Sequence, residues 1–381
     1  MDNSVRDILA RHRLDADRDQ WQQRLGDVTA QDVEAALASR PGSYGLDKLL
    51  ALISPAAEPY LEPMARISRQ LTIQRFGRTI RLYAPLYLSN YCINRCRYCG
   101  FNQGNAFTRT RLTIEEALAD AEILAAEGFR DILLVSSEDK RFIDTKYLEA
   151  LAAQLRKTFS FIGIEIYQMP TVHYRRLFEA GVEGVTLYQE TYDRAAYAHY
   201  HPAGPKADYE MRLRGPDDMA DAGMREIGLG VLLGLADWRI ETLALGAHAR
   251  YLTKRYWQSH ISFSFPRLRP ASGVSAAEFP HMLTDKHFVQ MMLALRLCFA
   301  DAGIVISTRE PAPLRDRLIE LGVTRMSAGS RTNPGGYSGP ESSSEQFEVH
   351  DQRSPAEIGA MLKEHGFDLV WKDWDRAFLQ V

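Results

Sequence analysis

The chain has 381 residues, 45% of them hydrophobic and 25% charged, and its formal net charge is -3 at pH 7. This balance is typical of a soluble enzyme and, together with the lack of a long basic run in the sequence, argues against nucleic acid as a partner. The charged first segment has no apolar stretch of the secretory type, and no run of about 18 apolar residues occurs, so we expect a cytoplasmic protein without a membrane partner.

Residues 1–80 are predicted to form an N-terminal helical extension. The stretches "DVEAALAS" and "GLDKLLALISP" place apolar residues at helical spacing, and "YLEPMARISRQLTIQRFG" continues the pattern up to a glycine. No residue pattern in this part of the chain indicates chemistry.

Residues 81–330 alternate between short apolar stretches and longer amphipathic ones. About eight such repeats are typical of an α/β protein with a (β/α)8 TIM-type barrel, in which functional groups lie at the C-terminal ends of the strands. The predicted strands are "LYAPLYLSN", "DILLVSS", "FIGIEIYQ", "GVTLYQE", "EIGLGVLLGL", "ISFSFP", "GIVISTRE" and "VTRMSAGS".

Residues 331–381 are predicted to form a C-terminal extension that packs on the barrel. A loop rich in Gly, Ser and Pro precedes the helical stretch "PAEIGAMLKEHG", and the tail beyond it carries Trp371 and Trp374. We interpret both tryptophans as packing residues.

Three of the four cysteines lie within eight residues of one another, directly after the first predicted strand, as Cys92, Cys96 and Cys99. A closed zinc site usually takes two close pairs of ligands, but no second pair follows, and Cys298 falls in an apolar helical stretch where we interpret it as a packing residue. Three thiolates in one loop suit a cubane iron–sulfur cluster with one iron open to a small-molecule ligand. A zinc knuckle or inert core thiols are the alternatives.

The spacing CxxxCxxC, with Tyr98 just before the last cysteine, resembles the signature of radical S-adenosylmethionine (radical SAM) enzymes. The resemblance implies that Cys92, Cys96 and Cys99 hold a [4Fe-4S] cluster whose fourth iron binds S-adenosyl-L-methionine (SAM). It also implies that SAM is cleaved to methionine and a 5'-deoxyadenosyl radical. Tyr98 is then a cofactor-binding residue.

Segments across nearly the whole chain are similar to those of the tyrosine lyases of thiazole biosynthesis, a branch of the radical SAM family. They are "PLYLSNYC", "CGF", "YQETY", "GLGVLLGL", "YWQ", "SFPRLRP", "STRE", "PGGY", "EQF" and "VWKDWD". The resemblance implies cleavage of the Cα–Cβ bond of L-tyrosine to 4-methylphenol and dehydroglycine, which supplies the thiazole of thiamine. It also implies thiazole synthase (ThiG) as a protein partner and a flavodoxin- or ferredoxin-type electron donor.

The end of the second predicted strand resembles a cofactor-binding segment of this family. Ser136, Ser137 and Glu138 stand where many radical SAM enzymes have two glycines before the residue that binds the amino group of SAM. Ser136 and Glu138 are therefore candidate SAM-binding residues, and the serines depart from the family pattern. A helix-capping role is the alternative for Glu138.

Two further positions resemble SAM-binding residues of the family. Gln189 and Glu190, at the end of the fourth predicted strand, correspond to the pair that binds the ribose, whose hydroxyls need acceptors. Arg212 resembles the arginine that pairs with the methionine carboxylate, which suits a planar guanidinium. A solvent-exposed charge on a helix is the alternative for Arg212.

Four residues are candidate catalytic or substrate-binding residues. Arg309, in "STRE", is expected to bind the carboxylate of the amino-acid substrate with support from Ser327, and Tyr87 is expected to point toward the phenol end. Glu165, on the third predicted strand, is a candidate polar contact or proton shuttle. Each of them could instead be a routine contact at the barrel mouth.

Three rival functions stay open at this point. A tryptophan lyase shares the same barrel type, whereas an enzyme of the hydrogenase-maturase type needs a second cysteine-bound cluster, and no cysteine follows Cys298. A non-catalytic iron–sulfur or zinc protein would leave the strand-end polar residues without a purpose.

His199 and His201, in "AHYHPAG", lack neighbouring ligands in the sequence, and we interpret them as surface residues.

Overall fold

The computed structural model of the chain describes residues 4–269, 274, 278–339 and 345–371. Eight parallel strands follow one another around a closed barrel, in which β1 pairs with both β2 and β8. The strands are β1 Thr79–Ser89, β2 Asp131–Ser136, β3 Phe161–Glu165, β4 Gly184–Thr186, β5 Glu226–Gly230, β6 His260–Ser264, β7 Gly303–Ile306 and β8 Arg325–Ser327. The prediction of a (β/α)8 TIM-type barrel is confirmed.

Helices surround the barrel and bury their apolar faces against it. Five of them precede β1: α1 Val5–His12, α2 Arg18–Asp27, α3 Ala30–Ala38, α4 Leu46–Ile53 and α5 Leu61–Phe76. The others alternate with the strands or follow them: α6 Ile114–Ala126, α7 Thr145–Leu155, α8 Thr171–Ala180, α9 Arg194–Tyr200, α10 Tyr209–Asp221, α11 Trp238–Arg255, α12 Asp285–Cys298, α13 Ala312–Leu318 and α14 Pro355–Glu364. Two 3-10 turns, Pro55–Tyr60 and Pro205–Ala207, complete the helical elements.

Side-chain caps mark where several of these helices begin. Thr29, Thr113 and Ser354 each accept a hydrogen bond from a backbone N–H of the first turn, and an acidic side chain bonds back to the cap in all three cases. Such caps satisfy N–H groups that the helix itself leaves without acceptors.

Part of the segment after β8 packs against the barrel. A short strand, β9 Asp368–Val370, pairs in parallel with the start of β1. Trp371 packs edge-on against Phe129, with ring centroids 5.4 Å apart. The packing expected of Trp371 is therefore confirmed, while Trp374 lies outside the described residues.

Four charged side chains close the N-terminal end of the barrel. Arg81 of β1 and Arg325 of β8 each contact both Asp131 of β2 and Glu226 of β5, with N–O distances between 2.5 and 3.0 Å. Each arginine therefore has two carboxylates and each carboxylate has two arginines. This ion-pair square is nearly buried, which such charges tolerate only when they are paired.

Within the part of the chain described here, no helix combines the length and the apolar character that crossing a bilayer requires.

Candidate active site

The opposite, C-terminal end of the barrel opens into an outer cavity. The cysteine loop, the ends of β2 and β4 and the start of α10 contribute its wall. Among its lining residues are Cys92, Cys96, Tyr98, Cys99, Ser136, Glu138, Glu190, Lys206 and Arg212. Eight of these nine residues were predicted to bind the cluster or SAM, and the structure brings them to one place.

An inner cavity lies within the barrel below the outer one. Residues of the strands themselves, such as Tyr83 of β1 and Ser327 of β8, line it. The two cavities share part of their wall, and the shared residues include Tyr87, Glu165, Tyr188, Arg309 and Phe347. All four predicted substrate residues therefore lie at the inner cavity, three of them where it meets the outer one.

Backbone hydrogen bonds hold the cysteine loop on two sides. The N–H of Ile93 donates to the carbonyl of Glu138, just beyond β2, at 3.0 Å. The N–H groups of Arg95 and Arg97 donate to the carbonyls of Ala203 and Tyr200, each at 3.0 Å. The loop is thus held between the end of β2 and the segment 200–206, which the sequence had given no reason to place here.

The thiol environment is compatible with a bound metal cluster. Burial raises the pKa of Cys96 to about 12 and also raises that of Cys99, so their thiolates need bound metal to be stable. Among the described residues, no three His, Cys, Asp or Glu side chains are placed to hold one metal ion. In a cubane cluster each cysteine binds a different iron, so the sulfurs need not converge on one point.

The structure contradicts the interpretation of His201 as a surface residue. Its side chain is buried, and its Nε2 lies 2.7 Å from the hydroxyl of Tyr98 in the cysteine loop. Its Nδ1 lies 2.8 Å from the carbonyl of Tyr197, which can only accept, so Nδ1 donates and Nε2 accepts from Tyr98. Burial lowers the pKa of His201 to about 3, which keeps the ring neutral. The prediction failed because α9 turns this segment inward, against the loop.

Asn94 connects the cysteine loop to both of its neighbours. Its Nδ2 donates to Glu138 at 2.7 Å, and its Oδ1 accepts from the N–H of Lys206 at 2.9 Å. Gly204 passes so close that a Cβ there would lie 2.3 Å from Asn94 Oδ1, and its φ of +97° is one that glycine adopts readily. The Glu138 carboxylate is thereby positioned at the outer cavity wall.

Glu190 is the charged centre of the opposite wall. Its carboxylate lies 2.6 Å from Lys206 Nζ and 3.7 Å from Arg212 Nη2. Although burial opposes ionisation, these two cations hold its pKa below the ordinary value. Glu190 has a φ of +71°, an unusual conformation for a residue other than glycine. Arg212 is fixed by a 2.7 Å bond from its Nε to the carbonyl of Tyr188.

Gln189 does not reach the cavity that its neighbour lines. It is buried, and neither atom of its side-chain amide has a hydrogen-bond partner among the described residues. Glu190 lines the outer cavity, whereas Gln189 is not among its lining residues. The structure therefore does not support pairing both residues on one ribose. Ser136 does line the outer cavity, where its hydroxyl donates to the carbonyl of Ser137 at 2.9 Å.

Arg309 and Glu310 are adjacent in sequence but differ in their partners. Glu310 is bound by the guanidinium of Arg267 and accepts a 2.8 Å bond from Arg269. Arg309 forms no ion pair with any carboxylate that the structure describes, and its guanidinium carbon lies 3.5 Å from the ring centroid of Phe347. Burial lowers the pKa of Arg309, although its electrostatic interactions with Tyr87, Tyr188 and nearby carboxylates act to raise that pKa.

Tyr87 and Ser327 meet different surroundings at the inner cavity. The Tyr87 hydroxyl donates to Gln346 Oε1 at 2.7 Å, and the Ser327 hydroxyl accepts from the N–H of Thr308 at 3.0 Å. Ser330, which the sequence analysis did not select, also lines this cavity and is buried. Its hydroxyl has no hydrogen-bond partner among the described residues, so it can bond to a polar group of a ligand.

Glu165 has a pKa suited to proton transfer near neutral pH. Burial raises the pKa of this carboxyl to about 7, and the charge of Glu190 acts in the same direction. Arg309, Lys206 and a hydrogen bond from Tyr188 oppose the shift. The charge of Glu165 in turn raises the pKa of the buried phenols of Tyr83 and Tyr87. A carboxyl in this state can both give and take a proton.

Sequence reasoning missed His201, Lys206, Ser330 and Gln346. Two of them had a usable signal, because Gln346 lies in the quoted stretch "EQF" and His201 in "AHYHPAG". Lys206 lies in the short 3-10 turn Pro205–Ala207 and Ser330 in a loop, and the strand and helix alternation assigns no side-chain direction in either place.

Comparisons with known proteins agree with this geometry. The Radical SAM superfamily model matches residues 86–245, and the Biotin and Thiamin Synthesis associated domain matches residues 264–368. The 2-iminoacetate synthases of Salmonella typhimurium and Escherichia coli are each 40% identical to this chain over 366 residues. Each alignment covers 94% of this chain and 96% of the relative.

Solved structures with the same fold include [FeFe]-hydrogenase maturases. One HydG structure has a TM-score of 0.87 at 32% identity and covers 94% of this chain and 80% of its own. HydG from Carboxydothermus hydrogenoformans has a TM-score of 0.79 at 32% identity, over 96% and 82% of the two chains. Methylornithine synthase (PylB), at 19% identity and a TM-score of 0.70 over 92% and 99% of the chains, shares the fold.

A TIM-type barrel whose mouth carries the CxxxCxxC loop, together with the superfamily match, defines a radical SAM enzyme, and this family uses a [4Fe-4S] cluster and SAM. The 40% identity to two 2-iminoacetate synthases over nearly the full chain defines the family more narrowly. The chain belongs to the 2-iminoacetate synthase family of radical SAM enzymes.

Proposed function

We propose that the protein cleaves the Cα–Cβ bond of L-tyrosine, giving 2-iminoacetate (dehydroglycine) and 4-methylphenol while SAM is converted to methionine and 5'-deoxyadenosine. The observation that carries the proposal is Arg309. Its partly buried guanidinium has no carboxylate partner among the described residues, and it lies where the two cavities meet. A partly buried arginine left in this state is an available site for the carboxylate of an amino acid.

The outer cavity is the proposed cluster and SAM site. Cys92, Cys96 and Cys99 would hold the [4Fe-4S] cluster, which supplies the electron that cleaves SAM into methionine and a 5'-deoxyadenosyl radical. Tyr98, Ser136 and Glu138 would bind the side of SAM next to the cysteine loop, and this is supported by their positions on the same wall.

The opposite wall would bind the charged and hydroxylated parts of SAM. Arg212 would pair with the methionine carboxylate, and Glu190 would accept from a ribose hydroxyl. Lys206 is held on Glu190 at 2.6 Å and keeps that carboxylate ionised. The sequence analysis assigned the ribose contact to Gln189 and Glu190, and we now propose it for Glu190 alone.

The inner cavity is the proposed tyrosine site. Arg309 would hold the carboxylate, with the hydroxyls of Ser327 and Ser330 nearby as further donors. Tyr87 would contact the aromatic part of the substrate from the wall shared by the two cavities. Holding the substrate at both ends brings its amino group close to the bound SAM, which is what hydrogen abstraction from nitrogen requires.

Glu165 would accept and donate protons during the reaction. The amino group of tyrosine is protonated in solution, and removal of its proton leaves a neutral amine from which the hydrogen atom is taken. With a pKa of about 7, Glu165 can accept that proton near neutral pH. The cleaved p-hydroxybenzyl radical must gain one electron and one proton to become 4-methylphenol. The electron is a second one from the external donor, and the protonated Glu165 is a source of the proton.

The position of the inner cavity within the barrel suits a reactive product. An imine hydrolyses in water, so a buried site protects 2-iminoacetate until it is released. A partner that consumes the imine at once would extend this protection, which supports thiazole synthase as the proposed partner. The electron that cleaves SAM must come from outside the chain, and a flavodoxin- or ferredoxin-type protein is the proposed donor.

The similarity to HydG makes maturase-type chemistry a second candidate. The chain aligns with about four fifths of HydG, and no cysteine follows Cys298 that could hold a second cluster. The products distinguish the two candidates, because further breakdown of the imine would release cyanide and carbon monoxide.

An anaerobic assay tests the proposal. Reconstituted enzyme, SAM and a strong reductant are incubated with L-tyrosine, L-phenylalanine or L-tryptophan, and the products are identified by mass spectrometry. We expect 4-methylphenol and glyoxylate, the hydrolysis product of the imine, from tyrosine, and little product from the other two. Equal cleavage of phenylalanine or tryptophan would contradict the assignment, and cyanide with carbon monoxide would favour maturase-type chemistry.

A further inference from the structure

Gln346 links the cysteine loop to the wall of the inner cavity. Its Oε1 accepts a hydrogen bond from the Tyr87 hydroxyl at 2.7 Å, and its Nε2 donates to Cys99 Sγ at 3.9 Å. One side-chain amide therefore contacts a proposed cluster ligand at one end and a proposed substrate residue at the other.

The surroundings of Gln346 hold its amide in this orientation. Its own N–H donates to the carbonyl of Thr332 at 3.0 Å, and the Thr332 hydroxyl donates to the carbonyl of Phe347 at 3.2 Å. Phe347 in turn packs on Arg309. These bonds hold the backbone at Gln346, and the side-chain amide is held by its own bonds to Tyr87 and Cys99.

We propose that Gln346 is a positioning residue for the cluster, whose N–H donates to the Cys99 thiolate and raises the reduction potential of the cluster. The proposal rests on the proposed role of Cys99 as a ligand. Reduction adds negative charge to a cluster and its thiolates, and a donor at a thiolate stabilises that charge. A glutamine reaching the sulfur from outside the loop is therefore a means of tuning electron transfer to SAM.

The test separates the two ends of the amide. Gln346→Glu keeps an acceptor for the Tyr87 hydroxyl but has no N–H for the sulfur, and Gln346→Met removes both functions at similar size. Tyr87→Phe is the matched control, because it removes the partner of Oε1 and leaves the donor to Cys99 in place. Each protein is reconstituted, its iron and sulfide content is measured, and its midpoint potential is determined by redox titration followed by electron paramagnetic resonance.

We expect the midpoint potential to shift to more negative values in both Gln346 variants, further in Gln346→Glu because of its added charge, while Tyr87→Phe stays near wild type. Potentials equal to wild type in both Gln346 variants would overturn the proposal. If Gln346→Glu fails to assemble a cluster, the uncharged Gln346→Met decides the question.

The titration needs neither tyrosine nor turnover, so its outcome is independent of the substrate assignment. A negative shift would stand even if another amino acid proved to be the substrate. A cluster that assembles fully in Cys99→Ala would instead remove the ligand role on which the proposal rests, and that result is read from the iron content alone.

Discussion

One arginine at the C-terminal end of the barrel lacks the carboxylate partners that the arginines at the N-terminal end have. At the N-terminal end, Arg81 and Arg325 share Asp131 and Glu226 in a square of four ion pairs. At the C-terminal end, Arg309 has no carboxylate among the described residues. In the first arrangement every charge has a partner, whereas the second leaves a partly buried cation for a ligand to neutralise.

A carboxylate at each end of the barrel shows the same contrast in its pKa. Glu226 is buried, but the charges of Arg81 and Arg325 hold its pKa below the ordinary value. Glu165 is partly buried and has weaker compensation from nearby cations, so burial raises its pKa to about 7. Completed pairs are typical of the stability face of a TIM-type barrel, and shifted or unpaired groups are typical of the catalytic face. Substitutions at the two ends should therefore affect different measurements.

The largest expected effect on turnover comes from the cysteine loop. Cys92→Ala, Cys96→Ala and Cys99→Ala should each abolish the reconstituted cluster and the formation of 5'-deoxyadenosine, because each removes one of three ligands. Cys298→Ala is the control, since Cys298 is buried in the main hydrophobic core on α12. Iron content and 5'-deoxyadenosine are measured, and loss of the cluster in Cys298→Ala alone would refute the three-ligand assignment.

Arg309→Met should have the next largest effect. Removing one partner of a buried, hydrogen-bonded charge pair costs about 2–5 kcal/mol, so kcat/KM for tyrosine should fall on the order of a hundredfold or more. Arg309→Lys keeps the charge but not the planar fork and should also lose most activity. Melting temperatures near wild type would show that the loss is not one of folding. Wild-type turnover in both variants would mean that the carboxylate is bound elsewhere.

Glu165→Gln should reduce turnover by about a hundredfold, at the lower end of general acid–base effects. The group is ionised above its pKa of about 7, so the wild-type kcat/KM should rise with pH through this value, and the variant should lose that rise. The raised pKa also means that the Glu165 contribution to stability decreases as pH rises from about 4.5 to about 7. Identical pH profiles for the two proteins would exclude Glu165 as the proton acceptor.

Arg325→Met should have the smallest effect on turnover and a large effect on stability. It leaves Asp131 and Glu226 with one arginine, and breaking a buried pair in this way costs about 3–5 kcal/mol. Arg66→Met is the control, because Arg66 pairs with Glu62 in an exposed position, where a salt bridge contributes about 0–1 kcal/mol. Urea unfolding gives the stabilities. A stable Arg325→Met protein with lost activity would reverse the comparison between the two ends.

The barrel could be predicted from the sequence because apolar stretches and amphipathic helices alternate with a regular period. All eight predicted strands occur, although several end earlier than their apolar stretches do. β4 ends at Thr186, four residues before Glu190, where the backbone adopts a positive φ. Such a turn depends on the contacts of Glu190 with Lys206 and Arg212, which no local pattern contains.

The candidate site was predictable where it lies at strand ends and not where loops meet. Glu165 and Arg309 follow from the rule that strand ends face the mouth of the barrel. His201 does not, because its segment reaches the cysteine loop through the backbone bonds of Arg95 and Arg97. The sequence placed Gln189 and Glu190 together at the end of one strand, but β4 ends at Thr186 and only Glu190 lines the outer cavity.

The most direct test of the account asks whether Arg309 binds the substrate carboxylate. Binding of L-tyrosine and of tyramine, which lacks the carboxylate, is measured by calorimetry with reconstituted enzyme and SAM but no reductant, for wild type and for Arg309→Met. A hydrogen bond to a charged group contributes about 1.5–3 kcal/mol, so wild type should prefer tyrosine by about tenfold or more, and the preference should disappear in Arg309→Met. A preference for tyrosine that survives in the variant would contradict the account.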